Sequence, residues 1–326
     1  MFTFVTITYN HEKYIIEHLE SIRYQIENYS EGKKMNLIVS DDGSVDNTMR
    51  YAQQWVERNK NLFSEVEFLT SEKNQGIVKN YLSATAAIKT PAYKLLAGDD
   101  LYYKNNIFRL VETIQETDII FTPALNFNED TVWNSQDMNR LLTLKTLAQI
   151  KKVLKFQNPF NTPGAFYSTD LIQDEGLRAF ISKYTWIEDL PSYYYLFNKR
   201  TSLNYSIQLK PYILYRSTVG ISNNKKNEKN NVFTTELNAM EKDLGMVLNK
   251  YPKYFNPYQY YWKLSKLKIK YRDAKTNHEI GTYNKILNEE APKAQDFLQV
   301  LRIKSTDFLK SLDYSTRTAN LQEDNS

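Results

Sequence analysis

One pattern limits what this chain can fold into more than any other: over its first 125 residues, two hydrophobic periods alternate. Residues 2–8 are rich in β-branched and aromatic side chains and read as a strand. Ile15, Leu19, Ile22 and Ile26 then recur at helical spacing behind Asn10, which can cap that helix. The alternation continues with a strand at 35–40 and a helix at 46–59, then a strand at 66–69 and a helix at 76–88. A strand at 93–97, a helix at 105–116 and a strand at 118–121 complete it. Strands separated by helices predict an α/β fold with a mostly parallel, Rossmann-like sheet, because parallel neighbours need long crossovers. Right-handed crossovers make that sheet doubly wound, with helices on both faces.

Further along, helices are expected at 141–154 and 188–198, the second with Pro191 confined to its first turn, and strands at 164–167 and 213–215. Residues 223–231 (NNKKNEKNN) read as a polar linker. Beyond it, helices are expected at 232–250, 257–276, 279–290 and 294–311, with a disordered tail at 313–326. The chain thus divides into a domain of residues 1–222, whose halves meet near residue 120, and a helical C-terminal extension over 232–312.

Composition removes several chemistries. The 326 residues include no cysteine, so disulfides, thiolate zinc sites and cysteine nucleophiles are excluded. Three scattered histidines, His11, His18 and His278, leave no HExxH or three-histidine metal site. None of the nine glycines lies within three residues of another, which removes the GxGxxG turn and the P-loop. The net charge of +4 is too weak to argue for nucleic acid, and no nucleic-acid partner is expected. Charge is uneven, −1 over residues 1–220 and +5 over 221–326. With no targeting segment and no apolar run of about 18 residues, the expectation is a cytoplasmic protein.

In an open parallel sheet, ligands bind beyond the carboxyl ends of the strands. Thr8-Tyr9-Asn10 follows the first strand, Asp41-Asp42-Gly43-Ser44 the second, and Gly98-Asp99-Asp100 the fourth. Two aspartate pairs on one edge repel each other unless something positive joins them. Mg²⁺ or Mn²⁺, held by one or two carboxylates and by substrate phosphate oxygens, is the natural partner. Such a cation neutralises the charge that develops when a diphosphate leaves. Each piece has a plainer reading: DDGS is a good turn and helix cap, Asn10 a cap, and Asp99-Asp100 a solvated loop.

The runs Val5-Thr6-Ile7-Thr8-Tyr9-Asn10, Ile38-Val39-Ser40-Asp41-Asp42-Gly43-Ser44-Val45-Asp46-Asn47-Thr48, Asn74-Gln75-Gly76 to Asn80, and Leu96-Ala97-Gly98-Asp99-Asp100, in this order, resemble the family-2 glycosyltransferases of GT-A fold. The likeness is specific over about residues 3–110 and thinner to about 222. It implies an inverting, hexosyltransferase-type enzyme with a nucleotide-sugar donor, usually a UDP-sugar. Thr8 and Asn10 would lie near the nucleoside, Asp42 on the base, Lys79 near base and phosphates, Asp99 on the ribose and Asp100 on the metal. Single displacement also needs a group to take the acceptor hydroxyl proton. Trp186-Ile187-Glu188-Asp189 stands where the family carries its acidic pair, which makes Asp189 the base and leaves Glu188 and Trp186 near the acceptor. The plainer reading is that the two acids complement a helix N-terminus and that Trp186 is core. Gly164, in Asn161-Thr162-Pro163-Gly164-Ala165-Phe166, would belong to the acceptor-side strand. Arg216 would fork onto the diphosphate. Thr218 stands where many members carry a metal-ligating histidine, which puts a third protein ligand in doubt.

The acceptor implied is a saccharide or lipid-linked saccharide in cell-wall, capsule or other surface polysaccharide synthesis. Residues 251–272 carry six basic and no acidic side chains, interleaved with eight aromatics. That composition suits either contact with the inner face of the cell membrane or packing on the catalytic domain. A nucleotidyltransferase, or a non-catalytic protein that binds partners through these basic helices, are the alternatives. The first lacks its glycine- and arginine-rich loop here, and the intact Asp42, Asp99, Asp100 and Asp189 speak against the second.

Overall fold

The structure, a computed structural model, describes residues 1–134, 141–144, 146–156, 158–160, 162–218, 232–246 and 274–323. Its first half is a single wound sheet. The order is β1 (Phe2–Thr8), α1 (Ile15–Tyr29), β2 (Met35–Asp41), α2 (Thr48–Arg58), β3 (Phe63–Thr70), α3 (Ile77–Ala86) and β4 (Ala92–Ala97). The four strands are parallel in the order β3-β2-β1-β4. Adjacent residues of one strand point to opposite faces, and both faces are covered. Val5 and Ile38 enter one core with Val78, Tyr81 and Ala84 of α3. Phe4, Leu37 and Val39 enter the other with Ile15, Leu19 and Ile22 of α1 and Ala52 and Trp55 of α2. The α/β, doubly wound expectation is met.

The second half continues with β5 (Leu101–Tyr102), α4 (Arg109–Glu116), β6 (Ile119–Phe121), β7 (Ala124–Phe127), β8 (Val132–Asn134), α5 (Leu147–Leu154) and β9 (Ala165–Tyr167). Then come α6 (Thr169–Ile172), α7 (Glu175–Ile181), α8 (Asp189–Asn198), β10 (Tyr205–Ile207) and β11 (Ile213–Arg216). The fifth strand of the sequence pattern, β6, does not extend the wound sheet. It pairs with β10 and β9, while β11 lies between β5 and β7 in a sheet ordered β5-β11-β7-β8. Periodicity identifies a strand but not its partner. The helix expected over 141–154 is interrupted: residues 141–142 are helical, a turn follows, and α5 starts afresh at Leu147, where Thr146 and Gln149 form a reciprocal capping box. α8 carries Pro191 in its first turn, as anticipated.

The C-terminal extension contains α9 (Val232–Leu244) and α10 (Ala274–Glu323). Two helices and a disordered tail were expected where α10 runs as one helix with Pro292 inside it. Proline removes one backbone donor, but packing overrides the break. Tyr283, Leu287, Ala294, Phe297, Leu298 and Leu301 are buried, and the Phe297 ring meets Tyr24 of α1 at 4.8 Å. The linker at 223–231 and the basic stretch at 251–272 lie outside the described residues.

Candidate active site

The strand register builds the rim. Thr8 pairs with Asp41, and Ile7 pairs with Ser40 on one side and Ala97 on the other. Asp42 N donates to Thr8 O at 3.0 Å and Gly98 N to Ile7 O at 2.9 Å. The loops after β2 and β4 therefore leave the sheet on either side of Thr8, about 10 Å apart at two strand spacings. The loops after β1 and β2 are laced together. Asn10, at φ 55°, receives Val45 N on Oδ1 at 3.0 Å and gives its own N–H to Ser44 Oγ at 2.8 Å. His11 N donates to Thr48 Oγ1 at 2.7 Å. Asn10 therefore does not cap α1, whose first residue follows Tyr14.

The two aspartates that follow β2 separate in role. Asp41 closes the local turn, accepting Ser44 N at 2.9 Å. Asp42 reaches across to the loop before α3, where Oδ1 accepts Gln75 N at 2.8 Å and Oδ2 accepts Gly76 N at 2.9 Å. Burial pushes the Asp42 carboxyl upward, against the pull of those two amides and of the exposed Lys79. Gly76 is essential to this clamp. Its φ is +95°, and a Cβ there would lie 2.5 Å from Thr185 O and Thr185 Cγ2.

At the end of β4, Asp99 lies 4.0 Å from His11 Nε2. Thr8 Oγ1 and His11 Nδ1 are buried without a partner and both border Gly98. Asp100 is buried, and its Oδ1 accepts Arg216 N at 2.8 Å. Burial and the neighbouring Asp99 push its carboxyl well above the ordinary range, despite Arg216 and Lys94. His18 sits beneath, Nδ1 donating to Asp100 O at 2.7 Å and Nε2 accepting from the Thr6 hydroxyl at 2.8 Å. Burial lowers His18 to about 4, so it serves as a neutral brace. Lys94, buried and bonded to Ala165 O at 2.7 Å, is lowered to about 7 by burial.

Arg216 is the clearest departure from expectation. It is 2% exposed, sandwiched between the Tyr14 and Phe127 rings at 4.3 and 4.4 Å. Its Nε donates to Asp99 O at 2.9 Å and one Nη to Glu17 Oε2 at 2.7 Å. Glu17 in turn lies 3.6 Å from Arg302 of α10. The guanidinium is thus a floor under the Asp99-Asp100 turn, and it is not presented to solvent as a fork for a diphosphate.

The second acidic pair opens α8. Asp189 Oδ2 accepts Asn158 Nδ2 and Thr162 Oγ1, both at 3.1 Å, and Oδ1 accepts Leu190 N at 2.6 Å. Burial raises Asp189 despite these donors. Burial and the Asp189 charge raise Glu188 to about 8. Gly164 is buried and its carbonyl is engaged by Thr122 N and Oγ1 at 2.9 and 2.8 Å, so it anchors the strand behind Thr162 rather than facing an acceptor. Trp186 is half-buried against the core, and its N–H donates to Glu236 of α9 at 2.9 Å. Thr218 is exposed. Sequence reasoning did not single out Asn158, Glu17, His11 or Glu236, none of which carries a local pattern that would have flagged it, and Thr162 entered only as part of the 161–166 run.

Fold and rim define an α/β protein with carboxylates at the carboxyl ends of β2 and β4 and a further acidic pair at the start of α8. A family model described as glycosyl transferase family 2 matches residues 3–174, more than half of the chain. The chain belongs to that family. Its relatives include a teichoic acid poly(glycerol phosphate) polymerase of Staphylococcus epidermidis, 27% identical over 125 residues, 38% of this chain and 16% of that protein. An uncharacterised glycosyltransferase of Mycoplasma pneumoniae is 30% identical over 34% of this chain and 35% of its own length. One of Mycoplasma genitalium is 27% identical over 48% of this chain and 50% of its own length. The chain thus spans half or less of the length of each. Among solved structures, S. aureus TarS 1–349 in complex with UDP has 18% identity, a TM-score of 0.49, and coverage of 98% of this chain and 91% of that one. No helix among the described residues is long and apolar enough to cross a membrane.

Proposed function

We propose that this chain is a glycosyltransferase that inverts the anomeric centre of a nucleotide-sugar, with a UDP-sugar as donor and a saccharide or lipid-linked saccharide hydroxyl as acceptor. The observation that carries the reading is the Asp42 clamp at one end of the rim and the buried Asp99-Asp100 turn at the other, both flanking Thr8. Thr8, Asn10, Asp42 and Lys79 receive the nucleoside, and Asp99 the ribose. Asp42 meets the base with its two oxygens already oriented by Gln75 and Gly76. The unpartnered Thr8 Oγ1 and His11 Nδ1 support a polar ligand there, since buried polar atoms are otherwise satisfied.

The donor set fits Mg²⁺ or Mn²⁺ at Asp100. Its carboxylate is buried, pressed toward the protonated form, and would be relieved by a cation. Among the described residues no group of three or more His, Asp or Glu could hold a metal, so the remaining ligands would be substrate and water oxygens. When bound, the cation supplies charge neutralisation for the leaving diphosphate. Arg216 and His18 hold the Asp99-Asp100 turn in place from below.

Asp189 is the general base. Asn158 and Thr162 fix its Oδ2, and burial raises its basicity toward working pH. The acceptor hydroxyl gives its proton to Asp189, the oxygen bonds to the anomeric carbon, and the bond to the diphosphate breaks on the opposite face. Trp186 and Glu188 border the acceptor side. The name of the Staphylococcus epidermidis relative points toward a surface polymer as product. The basic stretch 251–272 would bring the enzyme to an anionic membrane surface, which liposome flotation with and without it tests. For the chemistry, Asp100→Ala should abolish metal-stimulated cleavage of a UDP-sugar, including slow hydrolysis without acceptor. Asp189→Asn should keep donor binding and lose transfer. Unchanged turnover in either variant rejects the corresponding assignment.

A further inference from the structure

Glu236 lies in α9, beyond residues 3–174 and after the linker in sequence, yet it reaches the loop that precedes α8. Its Oε1 accepts Thr185 N at 2.7 Å, and its Oε2 accepts Trp186 N at 2.9 Å. Both amides belong to the loop that leads into Glu188 and Asp189. The same loop faces the nucleotide half, where Thr185 O accepts Val78 N at 3.0 Å. It also meets Gly76 so closely that no side chain fits between them. Gly76 N is one of the two amides that orient Asp42. A continuous path therefore runs from Glu236 to Thr185, Gly76 and Asp42 in one direction, and through Trp186 to Asp189 in the other. Hydrogen bonds to a carboxylate are short and strong, and two of them on consecutive amides fix a loop in both position and tilt. Asn158 and Thr162 hold the Asp189 carboxylate but do not tie its loop to α3.

We propose that Glu236 is a positioning residue for glycosyl transfer: it fixes the 184–187 loop and thereby sets the separation between the base clamp at Asp42 and the general base Asp189. The α9 helix is on this account a working part of the active site. The inference rests on the donor and base assignments above, which Asp189→Asn and Asp42→Ala test separately.

The experiment uses the full chain with Glu236→Ala and Glu236→Gln. UDP affinity is measured by calorimetry, kcat and KM with UDP-sugars, and backbone hydrogen exchange over residues 74–80 and 183–188 by mass spectrometry. Glu236→Ala should lower kcat/KM by about 10- to 100-fold, the loss expected for one to two charge-assisted hydrogen bonds. Most of that loss should fall on kcat, because Gln75 and Gly76 still hold Asp42. Exchange should rise in both segments. Glu236→Gln keeps one acceptor oxygen and the side-chain volume, and should recover a large part of the activity; it also gives the reading if the alanine variant does not fold. Unchanged kcat/KM in Glu236→Ala overturns the proposal, as does faster exchange confined to 183–188. If Asp189→Asn and Asp42→Ala also leave turnover unchanged, the active-site assignment fails instead.

Discussion

Gly76→Ala puts the rim under the sharpest test. The residue sits at φ +95°, which an L side chain adopts at a cost of about 1–3 kcal/mol. Its new methyl would also lie 2.5 Å from both Thr185 O and Thr185 Cγ2, well inside contact distance. Thr185 has little room to retreat, because Val78 N holds its carbonyl and Glu236 its amide. Overpacking of that kind costs about 1–3 kcal/mol more. The sum, roughly 2–6 kcal/mol, is a large share of the roughly 5–15 kcal/mol typical of a folded protein. Relief must come from a shift of the 74–78 loop, which moves the Gly76 N–H away from Asp42. Gly76→Ala should therefore melt about 3–9 °C lower and bind UDP at least about tenfold more weakly. Scanning calorimetry and titration calorimetry with UDP read the two effects. Gly43→Ala presses on the same clamp from the other side: it is strained at φ +76°, and its Cβ would lie 2.7–3.0 Å from backbone atoms of Lys73 and Asn74, just ahead of Gln75. It should likewise lose stability and UDP affinity together. A Gly76→Ala protein with unaltered melting and unaltered UDP affinity would refute the argument that this contact sets the clamp.

Three further outcomes follow from the buried charges. Glu188, raised to about 8, binds its proton more tightly when folded, so it contributes stability that is complete below about pH 4.5 and lost as pH rises toward 8. Glu188→Gln should flatten that decline in a series of melting curves, and an unchanged slope would place the titration elsewhere. Lys94, lowered to about 7, behaves oppositely: the folded state holds fewer protons than the unfolded one above that pH, so stability should rise between about pH 7 and 9. Lys94→Met should remove the rise, measurable by urea titration at each pH; its persistence would count against burial as the cause. Arg216→Lys keeps the charge but loses the planar fork between Tyr14 and Phe127, and should destabilise by about 2–4 kcal/mol in urea unfolding. Loss of UDP affinity with unchanged stability would instead return Arg216 to the diphosphate.

Which of these features the sequence exposes depends on how far apart the partners lie. The wound sheet was legible because β1 and β2 are buried on both faces, giving unbroken apolar runs separated by helical periods. The rim was legible for the same reason: once β1 is central, whatever follows β2 and β4 must emerge beside Thr8. Asp41 and Asp42 could not be told apart, since one bonds three residues ahead and the other reaches 34 residues ahead to Gly76. Arg216 read as a free guanidinium because nothing nearby in sequence announces Glu17, 199 positions away, or the rings of Tyr14 and Phe127. Pro292 read as a helix break because the apolar contacts that carry α10 past it belong to α1 and to β-strand neighbours. Glu236 left no signature at all, because a carboxylate that receives two backbone amides imposes no residue type on its partners. The strand ends could be read from local pattern, whereas the residues that hold those ends in register are joined only by the fold. Substitutions at Glu17, Arg216 and Glu236 should therefore perturb a site that none of them would be suspected of serving from sequence spacing alone.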